Sequence, residues 1–134
     1  SMRTRPALPL EDARKAMAAC EAEAQKNGWR VSIAIVDDAG FPLLLPRHDG
    51  VFALSAEVAV AKARTAALTH KPSRVWEDRV KERPVYLRFP ENLPIIGGVP
   101  ILVEGDCVGG IGVSGVQSHE DEQIALAGVK ALET

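Results

Sequence analysis

The chain has 134 residues, 46% hydrophobic and 25% charged, with a formal net charge of -2 and a pI near 5.9. This is the size and balance of one globular domain that buries its own core without staples. The slight acidic excess argues against nucleic acid as a partner, because a phosphate-binding domain shows a basic surplus, and no apolar run is long enough to span a membrane.

Ser1-Met2 reads as a tag-cleavage scar, so residues 1–9 are expected to form a tail and 10–134 a single domain. Leu10, Ala13, Met17, Cys20 and Ala24 step by three and four, the apolar stripe of a helix. Glu11 and Asp12 complement its positive end, and Asn27-Gly28 stops it. Val31–Val36 is a β-branched run and predicts a buried strand. Asp37–Gly40 turns the chain, and Phe41–Pro46 returns as a second strand. Pro42 and Pro46 mark that strand as partly an edge, since proline has no ladder donor. Ala53–Leu68 predicts a helix of small residues, with its stripe at Leu54, Val58, Ala61, Thr65 and Leu68. Its alanines let another backbone come close. Ser73 is expected to cap a further short helix.

Arg83–Asn92, with Pro84 and Pro90, is the candidate for a mobile or ligand-covering segment. Val99–Val103 and Cys107–Ser114 predict a second hairpin around Glu104-Gly105-Asp106. Ser118–Asp121 resembles a capping box that opens a last helix through Ile124, Ala125, Val129 and Leu132. Hairpins imply an antiparallel sheet, and the grouped helices imply coverage of its faces. Cys20 and Cys107 sit in apolar patterns and read as structural thiols, with neither a disulfide framework nor a zinc spacing. No signal segment opens the chain, so the cytoplasm is the expected compartment.

Gly110–Gly115 matches G-x-G-x-x-G, but a dinucleotide fingerprint follows the first strand of a βαβ unit and needs an acidic residue about twenty positions on. Here the chain ends first, and the glycines alternate with Ile111 and Val113 as residues do within one strand. Their missing side chains leave room for either a packed helix or a ligand. Gly97-Gly98, between Pro94 and Pro100, is a turn whose amides can cradle a carboxylate or simply reverse the chain. His48 is a candidate base, metal ligand or anion contact, or else a solvated or capping residue. Lys62 either snorkels to solvent or enters a pocket, where it would pair with an anion or act as a base. No metal-ligand spacing and no G-x-S-x-G elbow are present.

Six segments together resemble the GlcG/HbpS-like haem-degrading domain family, also found as the C-terminal domain of PduO-type proteins. They are Val31–Gly40 (VSIAIVDDAG), Arg47–Gly50 (RHDG), Ala61–Ala67 (AKARTAA), Pro94–Ile101 (PIIGGVPI), Val108–Gly115 (VGGIGVSG), and Asp121-Glu122 with Ala125–Gly128. The resemblance implies an α+β, profilin-like fold, a central antiparallel sheet of about five strands with helices on both faces. It implies a homo-oligomer, from dimer to octamer, and haem or another anionic small molecule as ligand. His48 stands where the family's turn has methionine, and the first helix carries no histidine. The ligand-binding candidates are Arg47, His48, Lys62, Gly97, Gly98 and Ser114, and His48 and Lys62 are the catalytic candidates. Three functions are compatible with these features. They are a haem-type binding protein of a catabolic operon, a cofactor-free isomerase, tautomerase or hydratase on a small carboxylate, and a structural accessory subunit.

Overall fold

A computed structural model describes residues 1–133. The elements in chain order are α1 (Leu10–Lys26), β1 (Ser32–Asp37), β2 (Pro42–Leu44), α2 (Ser55–Thr69), α3 (Ser73–Glu82), a 3-10 turn (Pro84–Arg88), β3 (Gly98–Val103), β4 (Asp106–Ser114) and α4 (Ser118–Ala131). The sheet runs β2-β1-β4-β3, antiparallel throughout. Among the described residues it has four strands rather than the expected five or so. Proline explains why the returning strand stays short. Pro46 has no N–H, so after Leu44 the ladder lapses and resumes only as an isolated bridge between Arg47 and Ser32.

The two faces of the sheet are packed in different ways. Ile33 and Ile35 of β1, Ile111 and Val113 of β4, and Val99 and Ile101 of β3 join Ala13, Met17, Cys20, Ile124 and Ala125 in the main core beneath α1 and α4. Leu8, from the expected tail, also packs on this core. On the other face Ala34 and Val36 meet Ala59, Ala63 and Ala67 of α2. There the glycines of the sheet admit the helix backbone itself. A Cβ at Gly112 would overlap the Ala59 carbonyl oxygen, and one at Gly98 would overlap that of Lys62. The room left by the alternating glycines is therefore filled by α2.

This close approach moves the buried stripe of α2. The helix buries Ser55, Ala59, Lys62, Ala63, Thr65, Ala66 and Ala67, so Thr65 of the expected stripe is inside, while Leu54 and Leu68, also expected inside, are 59% and 40% exposed. Small side chains let the backbones touch along most of this face, and the leucines at either end face outward. Two caps also differ from expectation. Pro72 occupies the N-cap of α3, and the Ser73 hydroxyl instead accepts the Gly98 N–H at 2.8 Å. The capping box of α4 begins one residue early, with Glu120 Oε1 accepting the Gln117 N–H at 3.1 Å. The second hairpin turns on Glu104 and Gly105, both with positive φ, as a two-residue loop requires.

Candidate functional site

The residues singled out from the sequence fall into two groups. Lys62, Gly97, Gly98 and Ser114 are all buried. Lys62 Nζ donates to the Val113 carbonyl at 3.0 Å and to Asp121 Oδ2 at 3.1 Å. Asp121 Oδ1 accepts the Val116 N–H at 3.2 Å. Burial pushes the Asp121 carboxyl above its ordinary value, and the Lys62 ammonium pulls against that shift. The pair ties α2 to the first turn of α4 and crosses close to Gly97, where a Cβ would stand 2.8 Å from Nζ. Two amides of this turn are engaged within the protein. Gly98 N–H bonds Ser73 Oγ, and Ile96 N–H bonds Glu77 Oε1 at 3.2 Å. Ser114 lies opposite Ser32 in the ladder, and the Ser32 and Ser55 hydroxyls are 2.8 Å apart.

Arg47 is exposed and His48 half-buried. His48 Nδ1 accepts the Val31 N–H at 3.1 Å, so the proton of the neutral ring is on Nε2, 2.5 Å from Glu21 Oε2. Both ring nitrogens are thereby engaged, and the ring pins the turn after β2 to α1. Neither His48 nor Lys62 offers a free lone pair for proton transfer in this arrangement.

A different region offers an open site. A groove of 610 Å³ runs along the outer side of α2, walled by Leu45, Ala56, Val60, Ala61, Phe89 and Leu93. Ligand sites typically span about 300–1,000 Å³ with apolar walls and a few polar groups. Here those groups are Glu57, Arg64, Glu91 and Asn92. Arg64 donates to the Gly40 carbonyl at 3.0 Å and to Glu91 Oε2 at 2.9 Å. The segment from Pro84 onward forms the far wall. Trp76 holds it by stacking on Phe89 at 4.9 Å and meeting Tyr86 edge-on at 5.7 Å. The sequence marked Arg83–Asn92 as a candidate mobile or ligand-covering segment but did not single out Arg64 or the groove. The available signal was the spacing of Ala56, Val60 and Arg64, which share a helix side next to the sheet-facing alanines.

Residues 8–130 match the family model described as haem degrading protein HbpS-like. The chain belongs to the HbpS-like family. It is 40% identical to protein GlcG of Escherichia coli K12 over 114 residues, covering 84% of this chain and 85% of GlcG. A crystal structure of a double mutant of Streptomyces reticuli HbpS superposes with a TM-score of 0.93 at 36% identity, over 99% of this chain and 92% of that one. The haem complex of PduOC superposes with a TM-score of 0.87 at 25% identity, over 96% of each chain. The HbpS-like fold thus carries the α+β architecture anticipated from the sequence. Among the described residues, no helix is long and apolar enough to cross a membrane.

Proposed function

We propose that this HbpS-like protein binds haem or a related tetrapyrrole in the groove along α2. The observation that carries the reading is the 610 Å³ apolar groove with a guanidinium at its edge. Leu45, Val60, Phe89 and Leu93 suit a flat macrocycle, and Arg64 suits a propionate. The family match and the similarity to the PduOC haem complex support the same ligand class.

The groove fits the macrocycle better than it fits the iron. None of its lining residues is a histidine, cysteine, methionine or tyrosine, the usual axial ligands. His48 lines a different cavity, with Glu21 and Trp29, and its nitrogens are engaged. The Cys20 thiol is buried, which pushes its pKa up to about 12 and keeps it protonated. Recognition in the groove therefore rests on the organic frame and its carboxylates. Titration with haem and with metal-free protoporphyrin IX, followed at the Soret band, tests this. Both are expected to bind with dissociation constants within about threefold of each other, a difference under about 0.7 kcal/mol. A preference for haem beyond about tenfold that disappears in His48→Ala, or no spectral change with either compound, refutes it.

We also propose that copies of the chain self-associate. Phe41, Phe52, Leu54, Val85 and Leu87 are each more than half exposed, a burden of large apolar side chains that an interface would cover. Light scattering that reports a single 14.4 kDa chain would exclude it.

A further inference from the structure

The polar end of the groove has two features that its apolar walls do not explain. The amide nitrogen and oxygen of Asn92 are both buried and lack a partner, although buried polar groups are nearly always hydrogen-bonded. Beside it, Glu91 has φ 55, a left-handed conformation unfavourable for any residue with a Cβ. Its carboxylate is the one that pairs with Arg64.

The two partners of that ion pair are held unequally. Arg64 is anchored by the Gly40 carbonyl, its guanidinium carbon lies 5.5 Å from the Phe41 ring centroid, and its side chain is only 23% exposed. The Glu91 side chain is 64% exposed. The chain is fixed on both sides, by Phe89 on Trp76 and by the Leu93 N–H on Thr65 Oγ1 at 2.7 Å. Between these anchors lie only Pro90, Glu91 and Asn92. The strained backbone and the unpartnered amide are thus confined to this short stretch beside the groove.

We propose that Arg64 and Asn92 form a recognition pair for the carboxylate of a ligand with an apolar body, and that Glu91 holds Arg64 as an internal carboxylate until the ligand displaces it. This rests on the groove being the ligand site, not on the ligand being a tetrapyrrole. Arg64 Nη2, released by Glu91, donates to one carboxylate oxygen, and the Asn92 amide donates to the other. One carboxylate replaces another at Arg64, so charge is balanced and the apolar body decides occupancy. A neutral ligand of the same shape cannot make the exchange.

The test uses 2-naphthoate and its neutral methyl ester, titrated against the full chain by ligand-observed NMR. The acid is expected to bind and the ester to bind more weakly. Glu91→Gln should tighten the acid about two- to fivefold, the scale of one exposed ion pair, and leave the ester unchanged. Arg64→Lys and Asn92→Ala should each weaken the acid about fivefold or more. Asn92→Ala should keep its melting temperature, because the free protein has no Asn92 side-chain bond to lose. The proposal is overturned by acid affinity that is unchanged or weaker in Glu91→Gln, or by an ester that binds as tightly as the acid. A melting temperature that falls in Asn92→Ala, or no binding of naphthoate to any variant, also overturns it. Haem that fails to bind while naphthoate responds as stated removes the tetrapyrrole reading alone.

Discussion

Replacing Lys62 by methionine tests whether this lysine is a structural cation. The Lys62 and Asp121 side chains are each 3% exposed and lie 3.1 Å apart. Lys62→Met leaves a buried carboxylate whose remaining partner is the Val116 N–H. Breaking a buried pair from one side costs about 3–5 kcal/mol, a large part of the roughly 5–15 kcal/mol that holds a domain together. The melting temperature should fall by about 10–20 °C. The loss should also depend on pH. Burial already raises the Asp121 pKa, and Lys62 opposes the rise, so removing Lys62 raises it further. A carboxyl with a raised folded pKa keeps a proton that the unfolded chain has lost, so stability falls as pH climbs from 3.8 through the folded value. In the variant this window extends further upward, and the destabilisation should be greater at pH 7 than at pH 5. Lys62→Met with Asp121→Asn keeps an acceptor for Val116 and should recover more than half of the loss at pH 7. Thermal and urea unfolding at both pH values measure these quantities. A loss under about 1 kcal/mol, or one equal at both pH values, would show that the pair does not hold α2 to α4 as described.

The glycines of the sheet allow a contrast of two substitutions. Gly112→Ala places a Cβ in overlap with the Ala59 carbonyl and 3.0 Å from Ala63 Cα, so overpacking should cost about 3 kcal/mol or more. Gly105→Ala meets nothing within 4 Å and should cost only the positive-φ penalty, about 1–2 kcal/mol; similar urea midpoints for the two would refute the close-packing argument. His48→Ala leaves the buried Val31 N–H without its acceptor and should lower stability by about 1–3 kcal/mol. Porphyrin affinity in the same variant should be unchanged, and a Soret titration checks it.

Much of the architecture was legible locally. The stripe through Ala13, Met17, Cys20 and Ala24 places α1 on the core because a helix has one buried side. The alternation of Gly110, Ile111, Gly112 and Val113 is that of a strand, and β4 has those residues. The expected stripe of α2 held at Thr65 but not at Leu54 and Leu68, for a reason outside the helix. Larger side chains ordinarily face a core, but the glycines of β3 and β4 admit the helix backbone itself at Ala59, Lys62 and Ala63. The groove beside α2 was hidden in the sequence for the same kind of reason. Nothing near Arg64 in the sequence marks it, because its partners, Gly40 and Glu91, are 24 and 27 residues away.

Local order and composition determined the helices, the hairpins, the family resemblance and the strand identity of the glycine-rich stretch, since these depend on residues a few positions apart. Tertiary structure decided what each polar group is available to do. By type Lys62 is a base or an anion contact, and in the fold the carboxylate of Asp121, 59 residues later, lies beside its amine. By type His48 is a base or an anion contact, and in the fold Val31 and Glu21 engage both its nitrogens. A side chain's chemistry depends on whether its hydrogen-bonding capacity is already filled, and that is settled only when distant segments meet.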